Sequence, residues 1–175
     1  MKLYTIFDDD SGFLGIMRHP LGGQLLNSQM ASLASLQINT IVSLLTKTEE
    51  QELGLCDESA SVVGLGMNFI SFPIQDKRDP VEFDAFYKLA CDIAAQIKLG
   101  HRIIFHCWAG VGRSGLLSAA VLVALGENPS NVFSMISNAR GKKIPETQVQ
   151  QDWFTNQFLP FFNNSDLQLV EAKWK

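Results

Sequence analysis

A short apolar strand pattern, a glycine-rich turn and a long apolar helix pattern follow one another between residues 102 and 125. The stretch "RIIFHC" is short and rich in bulky apolar residues, which is typical of a buried strand. The stretch "SGLLSAAVLVAL" is apolar on every side, so a helix of this sequence has to be buried as well. A buried strand that leads directly into a buried helix predicts a layered α/β protein.

The rest of the chain alternates between strand and helix patterns. Strands are predicted at Lys2–Phe7, Gly12–Met17, Asn39–Leu45 and Asn68–Ile74. The first two form a predicted hairpin, and Pro73 is expected to interrupt the hydrogen bonding of the last. Helices are predicted at Ser28–Leu36 with Ser28 as the N-cap, at residues 46–54, 57–66 and 81–100, at Ser130–Ala139 and at Thr147–Phe161. We therefore expect one domain over residues 1–175, with a central, mostly parallel sheet flanked by helices. The tail after Asn163 shows no clear pattern.

Composition excludes several classes of protein. The net charge of -4, without a long Lys/Arg run, argues against a nucleic-acid-binding surface. No apolar run is long enough for a membrane span, and the N-terminus lacks the pattern of a signal peptide. Three cysteines are too few for a disulfide framework, so we expect a reducing, cytoplasmic location. No set of His and Cys has the spacing of a metal site, and we expect neither a metal nor a cofactor.

The turn contains G-x-G-x-x-G at Gly110, Gly112 and Gly115, the pattern of a dinucleotide-binding loop. That fold needs a second strand that ends in an acidic residue about 20 residues further on. The segment after Gly115 predicts a helix, a turn and another helix instead. A dinucleotide site is therefore disfavoured.

The same turn also holds Cys107, Arg113 and Ser114 in the order C-x5-R-S. A strand that delivers a cysteine into a loop opening a helix aims several backbone N–H groups and the positive helix end at one point. Such a field favours a thiolate and attracts a phosphate ester, and the planar guanidinium of Arg113 can hold two phosphate oxygens. Gly110 and Gly112 allow the loop amides to approach an anion closely. This pattern favours a phosphate-processing site over a structural cysteine.

At this point the sequence resembles a family. "HCWAGVGRSG" is similar to the HC-x5-R-[ST] signature of the cysteine-dependent protein tyrosine and dual-specificity phosphatases. "TIVSLLTKTEEQELGL", "FPIQD" and "RGKKIPETQVQQDWF" resemble three other segments of that superfamily, and the likeness covers most of residues 39–162. It implies a compact phosphatase fold of the dual-specificity type, similar to the cyclin-dependent kinase inhibitor phosphatases, with a catalytic core at about residues 39–162.

The resemblance implies roles for individual residues. Cys107 would attack phosphorus and form a cysteinyl-phosphate, while Arg113 and the loop amides hold the phosphoryl oxygens. Asp76 is the expected general acid, with Asp79 as the alternative. Ser114 is expected to donate a hydrogen bond to the cysteine sulfur, to cap the helix, or both. Gln150 is expected to position the hydrolytic water, with Gln148 and Gln151 as alternatives.

The loop itself is the expected substrate-binding surface, through Trp108, Ala109, Gly110, Val111, Gly112 and Arg113. Its interior contains no lysine, whereas phosphoinositide-directed relatives often carry basic residues there. We therefore expect a protein substrate, phosphorylated on tyrosine or on serine and threonine. The alternatives are a phosphoinositide, nucleotide or RNA phosphatase, and a non-catalytic phosphate-binding module. Whether Cys91 or Cys56 pairs with Cys107, and what the oligomeric state is, stay open.

Overall fold

The computed structural model of the protein describes residues 2–162. Its strands are β1 (Leu3–Asp9), β2 (Gly12–Arg18), β3 (Thr40–Ser43), β4 (Asn68–Ser71) and β5 (Arg102–Cys107). Its α-helices are α1 (Leu26–Ser35), α2 (Lys47–Glu52), α3 (Glu58–Gly64), α4 (Phe83–Lys98), α5 (Gly112–Leu125), α6 (Val132–Arg140) and α7 (Gln148–Trp153). A 3₁₀ turn at Gly23–Leu25 precedes α1, and a π-helical turn at Phe154–Phe158 continues α7.

The five strands form one sheet in the order β1-β2-β5-β3-β4. The β1–β2 pair is an antiparallel hairpin, whereas β5 pairs in parallel with both β2 and β3, and β3 pairs in parallel with β4. The sequence-based expectation of a mostly parallel sheet with an opening hairpin is confirmed. Parallel strands at the centre explain why "RIIFHC" and "NTIVSLL" read as nearly continuous apolar runs.

Helices cover both faces of the sheet, and alternate residues of each strand point to opposite faces. On β5, Ile103, Phe105 and Cys107 belong to the larger core cluster, which also contains the apolar side chains of α4 and α5. Ile104 belongs to the smaller cluster, together with Met30 and other residues of α1 and α3. The strand therefore ends with the Cys107 side chain on the α5 side of the sheet.

One predicted detail differs in the structure. Ser28 does not cap α1, because the 3₁₀ turn starts the helix earlier and Ser28 Oγ instead donates a hydrogen bond to the Leu25 carbonyl at 2.9 Å. Strand β4 ends at Ser71, before the predicted interruption at Pro73, whose nitrogen cannot donate to a neighbouring strand. The tail after Asn163 lies outside the described residues. No helix within residues 2–162 is both long and apolar enough to cross a membrane.

The topology determines where the loops meet. Because β3, β4 and β5 are parallel, their carboxyl ends lie at the same edge of the sheet. The segments that follow these strands carry α2, the "QDKRDP" loop and the Cys107 turn. In parallel sheets this edge is where ligands bind.

Candidate active site

The turn after β5 holds Cys107 at the bottom of a short loop that opens α5. The Cys107 side chain is buried, whereas the neighbouring Trp108 and Ala109 are exposed. The first turn of α5 has no side-chain cap, since its N-cap residue is Val111. The N–H groups of that turn are therefore available to an anion, and the positive end of the helix dipole lies beside them.

Arg140, at the end of α6, braces the outer side of this loop. Its Nε donates a hydrogen bond to the Gly110 carbonyl at 2.6 Å, and its Nη2 donates one to the Ala109 carbonyl at 2.7 Å. The guanidinium also lies over the Tyr4 ring, 3.8 Å from its centroid. Two carbonyls that would repel an anion are thus bound on the outside of the loop.

The two loop glycines are needed for different reasons. Gly110 has φ +64° and its missing β-carbon would clash with the Met17 carbonyl, so it lets the loop run against β2. A β-carbon on Gly112 would lie 2.6 Å from Glu146 Oε2 and 3.1 Å from the Gln150 amide. Gly112 therefore leaves room for the Glu146 and Gln150 side chains, whereas Gly110 is also required where the loop packs against β2.

Arg113 is buried beneath the loop and bound by Glu49 of α2. Its Nη1 and Nη2 each donate to a different Glu49 oxygen, at 2.7 and 2.8 Å. Nη1 also donates to the carbonyls of Ile74 and Leu44, at 2.9 and 3.3 Å. Nε of Arg113 is buried and has no hydrogen-bond partner among residues 2–162. The guanidinium is therefore fixed on one edge while a donor on the other edge stays available.

The Arg113–Glu49 pair shifts the pKa of both partners. Burial by itself raises the pKa of the Glu49 carboxyl, but hydrogen bonds from Arg113 and Thr46 hold that pKa below its ordinary value. Burial likewise acts to lower the pKa of Arg113, and the opposing hydrogen bond to Glu49, with the nearby Cys107 and Asp76, raises it. Both groups are charged at neutral pH, so Arg113 keeps a guanidinium charge that interacts with Cys107.

Asp76 is the predicted acid that the structure brings to Arg113. Its Oδ1 lies 3.2 Å from Arg113 Nη2, and its side chain is 56% exposed. Asp79 is half-buried and makes no ion pair with Arg113 within 4 Å. Of the two predicted carboxylates, Asp76 is therefore the one next to the arginine and open to a substrate.

Helix α7 holds both the Asp76 loop and a buried glutamine. Thr147 Oγ1 donates to the Lys77 carbonyl at 3.4 Å, and Gln150 Nε2 donates to the Arg78 carbonyl at 3.3 Å. Gln150 is completely buried, and its Oε1 has no hydrogen-bond partner among the described residues. The alternatives Gln148 and Gln151 are both exposed. Gln150 is therefore the glutamine that faces the loop.

Ser114 lies inside the site without the contacts predicted for it. Its hydroxyl is buried and has no partner within residues 2–162, neither the Cys107 sulfur nor a backbone N–H of α5. The predicted cap is therefore absent, and the predicted hydrogen bond to sulfur is not formed. The hydroxyl remains a buried donor next to the loop.

His106, just before the nucleophile, points to the opposite face of the sheet. Its Nε2 lies 3.0 Å from Oε1 of Glu58, the first residue of α3, and both side chains are fully buried. A His next to a Cys in sequence is thus separated from it by the sheet.

Two residues of the site escaped the sequence reasoning. Glu49 lies in "TKTEEQELGL", where it forms a capping box with Thr46, and nothing in that local pattern indicates its second role as a partner of Arg113. Arg140 ends a helix and precedes Gly141, which reads as an ordinary helix terminus. Both contacts join segments at least 30 residues apart. No local pattern could have indicated them.

The chain is similar to known phosphatases. A family model described as "Polymorphic toxin system, DSP-PTPase phosphatase" matches residues 15–127. Protein 197R of Invertebrate iridescent virus 6, a candidate tyrosine phosphatase, is 27% identical over 119 residues, or 66% of this chain. The matched stretch spans 42% of the length of that viral protein.

Solved structures with the same fold include kinase associated phosphatase with its catalytic site cysteine changed to serine. That structure has a TM-score of 0.79 and 19% identity, and the match covers 90% of this chain and 93% of that one. Tk-PTP in its active form has a TM-score of 0.69 and 21% identity, covering 89% and 96%. A variant of human DUSP28 has a TM-score of 0.61 and 21% identity, covering 89% and 92%. The predicted fold class is therefore confirmed.

Proposed function

Because the chain belongs to the DSP-PTPase phosphatase family of polymorphic toxin systems, we propose that it hydrolyses phosphate monoesters on proteins through a cysteinyl-phosphate intermediate. One observation carries the proposal. Buried polar atoms without partners among the described residues include Arg113 Nε and Ser114 Oγ, in the first turn of α5 after Cys107, and Gln150 Oε1 on α7. Buried polar atoms are nearly always paired in proteins, so unpartnered groups in the turn after Cys107, and on the Gln150 amide that lies against Gly112, are available to a polar ligand.

In the first step the Cys107 thiolate attacks phosphorus from the side opposite the leaving oxygen. A sulfur–phosphorus bond forms and the phosphorus–oxygen bond to the substrate breaks. The equatorial oxygens accept hydrogen bonds from the loop N–H groups and from Nε of Arg113, which meet the charge of the transition state. Asp76 gives its proton to the leaving oxygen.

In the second step a water molecule releases the phosphate. Asp76, now ionised, takes a proton from the water while Gln150 Oε1 accepts the other water hydrogen. The water oxygen bonds to phosphorus as the sulfur–phosphorus bond breaks. Ser114 then donates its free hydrogen bond to the departing sulfur, which stabilises the thiolate.

Several features favour a protein substrate in the cytoplasm. The interior of the loop, "WAGVG", has no lysine to select a highly charged headgroup. Asp76 is exposed and approaches Arg113 from the solvent side, where a side chain on a protein surface can reach it. A thiolate nucleophile also needs a reducing compartment, which the cytoplasm provides.

The first test uses p-nitrophenyl phosphate and the variant Cys107→Ser. We expect turnover to be abolished because the hydroxyl is a far weaker nucleophile at neutral pH, while a phosphate analogue still binds. Binding without any turnover in the unchanged protein would instead indicate a non-catalytic phosphate-binding module. Turnover that survives Cys107→Ser would remove the proposed nucleophile.

The second test compares Asp76→Asn with Asp79→Asn as a matched control. Loss of a general acid lowers kcat by about a hundredfold or more, and the loss grows as the leaving group becomes more basic. We therefore expect Asp76→Asn to slow a phenyl phosphate series most at its poorest leaving group. The Asp79→Asn variant should not show this dependence. If the dependence of the rate on leaving-group basicity changed only in Asp79→Asn, the general acid would be Asp79 instead.

A further inference from the structure

The segment that carries Asp76 is bound to the rest of the site on both sides. Before Asp76, the Ile74 carbonyl accepts a hydrogen bond from Arg113 Nη1 at 2.9 Å. After Asp76, the carbonyls of Lys77 and Arg78 accept hydrogen bonds from side chains at the start of α7. The backbone on either side of the predicted general acid is therefore anchored through its carbonyl groups.

Residues 75–78 form a tight turn, which we call the acid turn. The Arg78 N–H donates to the Gln75 carbonyl at 3.1 Å, which places Asp76 and Lys77 at the two central positions. Lys77 has φ +59°, a positive value that at this position of a turn favours glycine. A lysine in that region is strained, and its conformation persists only where neighbouring groups hold it.

Thr147 makes one of the contacts that hold the acid turn. Its Oγ1 donates to the Lys77 carbonyl at 3.4 Å and accepts a hydrogen bond from the Gln150 N–H at 3.3 Å. The second of these bonds makes Thr147 the N-cap of α7. Aspartate caps helices at least as well as threonine, but a carboxylate has no hydrogen to donate to the Lys77 carbonyl. The donor role of Thr147 can therefore be separated from its capping role.

The side-chain amide of Gln150 makes the other contact and is oriented by it. Its Nε2 donates to the Arg78 carbonyl at 3.3 Å, and a carbonyl can only accept, so the NH₂ end of the amide has to meet the acid turn. The Oε1 end has no partner among residues 2–162. Both ends lie beside the catalytic loop, 3.1 Å from where a β-carbon on Gly112 would be. The acid turn therefore selects which end of the amide is available there.

We propose that Thr147 and Nε2 of Gln150 form a latch that positions Asp76 for proton transfer, so that Gln150 acts in both steps of the reaction. The inference rests on the proposed function and extends it, because Thr147 has no part in those two steps and Gln150 acts only in the second. Both residues work through the backbone carbonyls that follow Asp76, and Thr147 is a positioning residue. A general acid has to stay within hydrogen-bond reach of the leaving oxygen, so a less constrained acid turn slows that transfer.

The experiment compares Thr147→Asp, which keeps the cap and loses the donor, with Thr147→Ser, which keeps both. Phenyl phosphate has a basic leaving group that needs a proton, whereas the p-nitrophenolate ion leaves readily without one. For Thr147→Asp we expect kcat/KM for phenyl phosphate to fall about fivefold, a typical loss for one hydrogen bond between neutral groups. For p-nitrophenyl phosphate it should fall less than about twofold. The conservative variant Thr147→Ser should retain both values.

Gln148→Glu is the matched control for the charge that Thr147→Asp adds. Gln148 is the next residue of α7, is exposed, and donates to Asp152 Oδ1 at 2.8 Å. The variant adds the same charge one position away, so kcat/KM for both esters should persist. An equal loss for phenyl phosphate in Gln148→Glu and Thr147→Asp would show a charge effect and overturn the proposal. Equal losses for the two esters in Thr147→Asp would show a general defect and overturn it as well.

Gln150→Met tests the second contact, since methionine has a similar length and no hydrogen to donate. A glutamine that only positions water acts after the cysteinyl-phosphate has formed, so its loss would lower kcat and leave kcat/KM unchanged. The latch instead predicts that Gln150→Met lowers kcat/KM for phenyl phosphate about fivefold, and more than for p-nitrophenyl phosphate. A loss confined to kcat overturns the part of Gln150 in the latch.

Failure of the latch is distinguishable from failure of the proposed function. Turnover that survives Cys107→Ser, or an Asp76→Asn variant whose loss is the same for all leaving groups, removes the mechanism and the latch with it. If both of those tests succeed while Thr147→Asp behaves like Thr147→Ser, hydrolysis through Cys107 and Asp76 stands and only the latch is overturned.

Discussion

Replacing Glu49 by glutamine should disable Arg113 without touching the reacting atoms. Glu49 accepts two charge-assisted hydrogen bonds from the guanidinium, at 2.7 and 2.8 Å, and its side chain is only 14% exposed. A glutamine side chain has only one oxygen, so it can accept one of these two hydrogen bonds, and without the carboxylate charge. At the other position the amide N–H of the glutamine would face an N–H of Arg113. Hydrogen bonds to charged groups contribute about 1.5–3 kcal/mol, and we expect Glu49→Gln to reduce the free energy of unfolding by about 2 kcal/mol.

The same change should slow catalysis, because Arg113 has to be held in position to meet the charge of the transition state. If a poorly positioned Arg113 stabilises the transition state by about 2 kcal/mol less, kcat/KM for p-nitrophenyl phosphate falls about 30-fold. Glu52→Gln is the control, since it removes a carboxylate from the same helix at an exposed position. The reasoning is refuted if folded Glu49→Gln loses no more activity than Glu52→Gln.

The effect on stability should depend on pH with a definite sign. The folded-state pKa of Glu49 is lowered, so its pairing stabilises the fold above the usual glutamate pKa of about 4.3 and is lost as the pH falls through the folded value. Urea unfolding should therefore show the largest difference between the unchanged protein and Glu49→Gln near pH 7. That difference should begin to shrink below about pH 4.3, the usual glutamate pKa, and should be lost once the pH has fallen through the lower folded-state pKa. A difference that grows on acidification would contradict the assignment.

Two further substitutions test the loop. Gly110→Ala should lower the free energy of unfolding by more than about 3 kcal/mol, because it adds a clash with the Met17 carbonyl to the strain of φ +64°. Gly66→Ala, at φ +79° with nothing within 4 Å, has the strain alone and should lose only about 1 kcal/mol in the same urea titration. Arg140→Gln should lower the stability by about 2 kcal/mol and raise KM for p-nitrophenyl phosphate, because two loop carbonyls lose charged donors. Arg102→Gln, distant from the loop carbonyls, should leave KM unchanged, and equal KM values in both arginine variants would contradict the bracing role of Arg140.

The amino-acid sequence by itself predicted the elements that depend on local patterns. The strand "RIIFHC", the turn with Cys107 and Arg113, and the buried helix after it were all visible, since hydrophobic periodicity and turn residues act over a few positions. The parallel class of the sheet also followed, because strands that alternate with helices have few other ways to pair. The end of β4 before Pro73 has the same local origin.

The partners of the predicted site residues depended on the tertiary structure. Glu49 reaches Arg113, Asp76 lies beside it and Arg140 closes the loop only because the order β2-β5-β3-β4 brings the ends of separate strands together. His106 points away from Cys107 because consecutive residues of a strand face opposite sides of the sheet, and the tertiary structure decided that Glu58 meets it there. Strand order is set by the burial of two apolar faces over the whole chain, and no single window of sequence contains it.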